Sequence, residues 1–168
     1  MSAAGGGPKV RTCLWYDRDA LPAAEFYCSL LPDSRIDSVS RYRGRQDRHY
    51  RDGPEPADPG EVMSVSFTLA GTPYQGLNGG PHFRLDWAVS IVVGTEDQTE
   101  TDRLWSALTG EGGSEGQCGW LKDRFGLSWQ IVPKRAAELL SGPGSARVWP
   151  ALMQMSKIEI AALEAAAG

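Results

Sequence analysis

The densest chemistry in the chain lies in "QCGWLKDRFGLSWQIVP", where Cys118, Trp120, Lys122 and Trp129 fall close together. A cation beside a thiol depresses its pKa, so Lys122 could activate Cys118 as a nucleophile. With no histidine in sequence reach to serve as its base, Cys118 reads instead as a small buried thiol in a strand. Trp120 and Trp129 fit two roles equally, stacking on a planar ligand or filling a cavity behind a sheet. The two histidines stand apart, His49 in a polar run and His82 beside a Gly-Gly-Pro break. His49 with Asp47 and Asp52 would be a cation group, but the surrounding charge pattern reads as a solvated loop. In "RYRGRQDRHYR", Arg41, Arg43, Arg45, Arg48 and Arg51 interleave with Tyr42 and Tyr50. Such a run could steer an acidic ligand or line a pocket mouth. Asp52, Glu55, Asp58 and Glu61 follow at once and nearly cancel it, so a charged surface loop is the reading adopted.

Composition narrows the classes. The chain has 168 residues, 41% hydrophobic and 23% charged, with a formal charge of −4. It can bury a core, and its weak acidity argues against a general nucleic-acid binder, whose phosphate contacts need a basic face. No apolar run reaches the roughly 20 residues of a membrane span. Cys13, Cys28 and Cys118 are odd in number and widely spaced, which suits a reducing cytoplasm. Glycine-rich "GEGGSEG" (110–116) follows a helix and precedes a strand, the reverse of a cofactor-cradling turn. It reads as a linker, as does "GGG" at 5–7, and both readings weigh against methyl transfer.

The elements that must position these residues follow from periodicity. Residues 1–10 form a flexible tail. Arg11 to Tyr16 is a buried strand, and Asp19 caps a helix from Ala20 to Leu31 with Ala23, Phe26, Tyr27, Leu30 and Leu31 as its apolar stripe. A strand over Arg35 to Tyr42 and a long loop over Arg43 to Glu61 precede the clearest alternation. There Met63, Val65, Phe67 and Leu69 interleave with Ser64, Ser66 and Thr68. Gly71 turns this strand into Thr72 to Asn78. The order then recurs: strand Ala88 to Val93, a capping box at Thr95 and Gln98, and a helix to Leu108 stopped by Gly110. Gln117 to Lys122 and Leu127 to Val132 are strands flanking the turn Asp123 to Gly126. The remainder is helical, interrupted at Gly142 to Gly144 and at Pro150. Val148, Leu152, Met155, Ile158 and Leu163 form an apolar face that must pack on the chain itself or on a second copy.

A shift of 78 positions lays Leu14 on Val92, Tyr27 on Trp105 and Leu30 on Leu108. Strand, helix, then strands, twice over, is an α+β fold of two tandem βαβββ modules with C-terminal helices. The expected domain spans 11–168, with module one at 11–80, module two at 86–133 and helices over 134–167. Two curved, mostly antiparallel sheets facing each other would enclose a ligand cleft.

The segments "TCLWYDRDALPAAEFYCSLLPDSRI", "YQGLNGGPHFRL", "EDQTETDRLW" and "QCGWLKDRFGLSWQIVP" resemble the glyoxalase/bleomycin-resistance, or vicinal oxygen chelate, superfamily. More narrowly they resemble its PhnB-like branch, named for 3-demethylubiquinone-9 3-methyltransferase, across roughly residues 11–165. The resemblance implies a homodimer and, in the superfamily's enzymes, one divalent metal held by four side chains, typically His, Glu or Gln. Counting from the helix signatures, the resemblance puts the corresponding positions at Thr12, at Gly76 or Asn78, at Ser90 and at Gln130. None carries imidazole, carboxylate or thiolate, and a catalytic metal needs about three such ligands. The expectation is therefore no metal and no cofactor. Thr12, Asn78, Ser90, Trp120, Trp129 and Gln130 would bind a small molecule in the cleft. In the alternative, a metal-independent lyase, isomerase or transferase acts on an oxygenated molecule, with Tyr16, Cys118 or Lys122 as catalytic candidates.

Overall fold

The structure, a computed structural model, describes residues 9–44 and 57–168. The Asp47–His49–Asp52 group, Arg45, Arg48, Tyr50, Arg51 and Glu55 lie outside the described residues. The chain divides between Leu85 and Asp86 into two compact units. Among the described residues no helix is long and apolar enough to cross a membrane.

Module one runs β1 (Thr12–Tyr16), α1 (Ala20–Leu30), β2 (Arg35–Arg41), β3 (Val62–Leu69) and β4 (Thr72–Asn78). Its sheet has the order β1-β4-β3-β2, with β1 parallel to β4 and the other pairs antiparallel. The alternation read from β3 holds, since Val65, Phe67 and Leu69 are buried. They share a face with Leu14 and Tyr16, and this face carries α1. Tyr16 Oη donates to Tyr27 Oη at 3.4 Å, and the Tyr27 and Phe67 rings lie 6.5 Å apart. Burying each such side chain contributes about 1.5–3 kcal/mol. Small residues let α1 approach closely: a Cβ on Gly76 would meet the Ala20 Cβ at 3.0 Å.

The start of α1 is capped from elsewhere. Asp19 occupies the N-cap position but makes no side-chain cap bond. Asn78, at the end of β4, accepts from Ala20 N at 2.9 Å and donates to the Arg18 and Val62 carbonyls, both at 3.1 Å. One buried amide thus joins the helix start, the link before it and the neighbouring strand.

Module two repeats the plan in β5 (Ser90–Thr95), α2 (Gln98–Thr109), β6 (Ser114–Glu115), β7 (Trp120–Lys122) and β8 (Ser128–Pro133), ordered β5-β8-β7-β6. Together the units are the expected pair of βαβββ modules, each a four-stranded mixed sheet. Local expectations need correction. The cap of α2 is Asp97, whose carboxylate accepts from Glu100 N at 2.8 Å, while Glu100 accepts from Glu96 N. Thr95 turns inward, its hydroxyl 2.6 Å from that of Thr101. The presumed linker contains β6, paired with β7. Cys118 and Gly119 are not in a strand but in a left-handed turn, φ 58° and 85°, whose amides donate to the carbonyls of Met155 and Ser156. Asp123 organises the following turn, accepting from Phe125 N, Leu127 N and Trp129 Nε1.

The C-terminal region forms α3 (Lys134–Ser141), α4 (Ser145–Leu152) and α5 (Ile160–Ala167). Pro150 lies inside α4 rather than interrupting it, and the second break falls after Leu152. The apolar face packs on its own unit: Ala136, Val148, Leu152, Ile158 and Leu163 form one buried cluster, with Val132 and Cys118 against it. Lys157 reaches Asp102 on α2, and this hydrogen bond, with a second from Gln98, holds the Asp102 carboxyl below its ordinary range.

The shift of 78 aligns the two helix starts, yet it misaligns the strand faces. Tyr16 faces α1, whereas its shifted partner Gly94 alternates with Thr95, which faces α2. A one-residue offset inverts every side chain along a strand. Leu14 is accordingly buried at 2% exposure, while Val92 is 60% exposed.

Two substitutions test this architecture. Asn78→Ala leaves buried backbone groups without partners and should lower unfolding free energy by about 2–4 kcal/mol in urea denaturation. A loss near zero would remove Asn78 as the tie. Gly119→Ala adds both left-handed strain and a Cβ 2.8 Å from the Ile131 carbonyl oxygen, while Gly71→Ala adds strain (φ 80°) in open space. The first should cost roughly 2–4 kcal/mol and the second about 1 kcal/mol, and equal losses would remove the steric term.

Candidate functional site

Each sheet has one face covered by its helix and one face turned away from it. In module two, Ile91, Val93 and Thr95 lie on the α2 side with Leu121, Trp129 and Ile131. Ladder partners share a face, so Ser90, Val92, Trp120, Lys122, Ser128 and Gln130 lie on the other. Two sequence candidates meet there: Gln130 Nε2 donates to Ser90 Oγ at 2.8 Å. Among the described residues neither side chain makes a further hydrogen bond, so the Gln130 amide oxygen and the Ser90 proton remain for a third group.

The segment before β5 folds over this face. Ser128 Oγ donates to the Asp86 carbonyl at 2.9 Å, and the Asp86 carboxylate accepts from Ala88 N at 2.8 Å. Between these anchors Trp87 is set against the sheet, its ring 6.3 Å from that of Trp120 at 57°. Lys122 Nζ sits over Trp87, 4.6 Å from the ring centroid, a cation–π contact. Trp87 remains 45% exposed. Sequence reasoning passed over Trp87; its signal was a large aromatic in an aperiodic segment, "PHFRLDW", with no periodic core position to explain it.

The other candidates lie elsewhere. Trp129 is 1% exposed on the α2 side, with its indole N–H on the Asp123 carboxylate, and fills the core. Asn78 spends its amide on backbone groups around α1. Gly76 faces Ala20, and Thr12, by alternation with Leu14 and Tyr16, falls on the α1 side of its sheet. Tyr16 is 4% exposed and paired with Tyr27. Cys118 points at the end of α4, its Sγ 3.6 Å from both the Leu152 carbonyl oxygen and Met153 Sδ. Burial pushes the Cys28 thiol up, with the Asp37 carboxylate adding to it, and desolvation pushes up that of Cys13. Neither is therefore an activated nucleophile.

On module one, the face away from α1 carries Cys13, Trp15, Gln75 and Leu77. Trp15 Nε1 donates to the Gly80 carbonyl at 2.8 Å, and Phe83 meets its ring edge-on at 5.0 Å. Gln75 pairs with Cys13 as Gln130 pairs with Val92, so Gln75 rather than Gly76 is the register counterpart of Gln130 on the face turned away from the crossover helix.

A divalent metal does not fit the aligned positions. Thr12, Gly76, Ser90 and Gln130 supply hydroxyls, an amide and no side chain at all. Among the described residues no three His, Cys, Asp or Glu side chains come together as a metal group. Neutral oxygens of this kind do not offset the cost of dehydrating a catalytic divalent ion.

Comparison with known proteins agrees with this architecture. The family model described as 3-demethylubiquinone-9 3-methyltransferase matches residues 8–132, more than half the chain. No curated protein matches. Among solved structures, the PhnB protein from Bacillus cereus is 29% identical with a TM-score of 0.62, over 75% of this chain and 99% of its own. A Pseudomonas aeruginosa protein is 20% identical with a TM-score of 0.55, over 76% of this chain and 98% of its own. A glyoxylase/bleomycin resistance protein/dioxygenase domain from Frankia sp. EAN1pec is 13% identical with a TM-score of 0.45, over 77% and 93%. With its two βαβββ modules and this family match, the chain belongs to the 3-demethylubiquinone-9 3-methyltransferase family, and it is similar to the PhnB protein.

Proposed function

We propose that the chain binds a small organic molecule on the face of module two turned away from α2, without a metal or cofactor and without changing the molecule. The observation that carries this is the juxtaposition of Trp87, Trp120 and Lys122 with the Ser90–Gln130 pair on one sheet face. Aromatic walls with a few placed polar groups are the composition of small-molecule sites. The methyl transfer in the family's description finds no support in the local chain: the links before α1 (17–19) and α2 (96–97) contain no glycine to admit a cofactor phosphate or carboxylate. The formal charge of −4 argues against nucleic acid as partner.

A second reading, a metal-independent lyase, isomerase or transferase, rests on Lys122. It is the titratable side chain that the strands place on that face, and a proton-transfer step needs such a group. The proposal also takes 11–168 as one working domain that forms a homodimer in a reducing cytoplasm. The three free cysteines and the exposed Trp149 and Met153 on and after α4 support it.

The test is a panel of oxygenated aromatic compounds scored by thermal shift, with each compound recovered and weighed by mass spectrometry. A binding compound should raise Tm, return with unchanged mass, bind equally after EDTA dialysis, and lose its shift in Trp120→Ala. A changed mass would establish the enzymatic reading instead. Stoichiometric zinc, nickel, iron or manganese in the purified protein would overturn the metal-free site. Sedimentation at twice the 18.2 kDa chain mass is the expected oligomeric outcome.

A further inference from the structure

We infer that the ligand of this face is a planar aromatic anion, its ring against Trp87 and Trp120 and its carboxylate on Lys122. The inference rests on the reading that the face binds a small molecule and names the class of that molecule.

Lys122 Nζ lies over an indole rather than beside a carboxylate, and no described acidic side chain forms an ion pair with it. Asp123 and Glu115 are engaged on the opposite side of the sheet, and the Asp86 carboxylate, on the segment over this face, accepts from Ala88 N. Asp123 accepts from Phe125 N, Leu127 N and Trp129 Nε1, and Glu115 accepts from Trp105 Nε1. The remaining polar groups on the face, Ser90 and Gln130, are neutral. Lys122 is therefore a cation on this face with no ion pair among the described residues, and an anion is its complement.

The shape of the face favours a flat ring. The Trp87 and Trp120 rings meet at 57°, so they form a corner rather than a closed stack. A flat ring laid on one indole presents its edge to the other, the arrangement aromatic quadrupoles favour. Trp87 and Val92, 45% and 60% exposed, leave apolar surface open to water on this face. Trp87 is already held by the Ser128–Asp86 and Asp86–Ala88 bonds, so little ordering accompanies binding.

Benzoate, benzamide and cyclohexanecarboxylate separate the terms when titrated against the full chain, with indole N–H chemical shifts as readout. Benzoate should bind about fivefold more tightly than benzamide, the scale of an exposed ion pair. Lys122→Ala should abolish that preference at unchanged Tm, Lys122→Arg should keep it, and cyclohexanecarboxylate should bind more weakly than benzoate. Equal affinity for benzoate and benzamide would overturn the anionic class while leaving small-molecule binding intact. Equal affinity for benzoate and cyclohexanecarboxylate would overturn the aromatic one. No binding by any of the three would overturn the class as a whole, with the compound panel then deciding binding independently. A Trp87→Ala variant of halved sedimentation mass, with no benzoate shift in the parent, would assign the face to a second copy.

Discussion

Parallel pairing of the first strand with the last governs both modules. A parallel pair cannot be closed by a hairpin, so the chain must cross over, and here α1 and α2 are those crossovers. Each crossover covers one face of its sheet. Every side chain on β1, β4, β5 and β8 is then assigned either to the helix or away from it by the pleat alone. Ser90 and Gln130 meet because their ladder positions differ by one pleat period on the same face.

The same constraint explains why the two modules are not interchangeable. Their helices begin 78 residues apart, but the link before α1 is one residue longer than that before α2. That residue inverts the strand faces relative to the helix. In module one the aligned polar positions are drawn into helix attachment, where Gly76 admits Ala20 and Asn78 caps α1. In module two they stay clear of the helix, beside an indole and an ammonium. Buried polar side chains are costly unless fully bonded, so Asn78 has little freedom for another role. Gln130, half-buried and bonded once, retains it.

Much of the fold was legible from local pattern. The alternation Met63 to Leu69, the stripe of α2 through Leu104, Trp105 and Leu108, and the turn at Asp123–Gly126 all depend on neighbours within a few residues. The errors share a cause. Thr95 fits a capping box by spacing, but Asp97 stands nearer the helix start and supplies a stronger acceptor. Asp19 stands where a cap belongs, yet Asn78, 58 positions beyond Ala20, does the work. Cys118 sits in an apolar, strand-like run, yet the carbonyls of Met155 and Ser156 pull the chain into a left-handed turn.

Residue order alone determined the module plan, the helix stripes and the donor chemistry at the aligned positions, because periodicity and side-chain type are properties of short windows. Tertiary structure alone decided which of Thr12, Asn78, Ser90 and Gln130 face a helix and which do not, and that Trp87 joins Trp120 and Lys122. A strand reverses its facing at each residue, so one residue in a connecting link moves a polar group from ligand surface to core. No local window reports that parity, and no local window brings Gln130 to Ser90 across 40 positions.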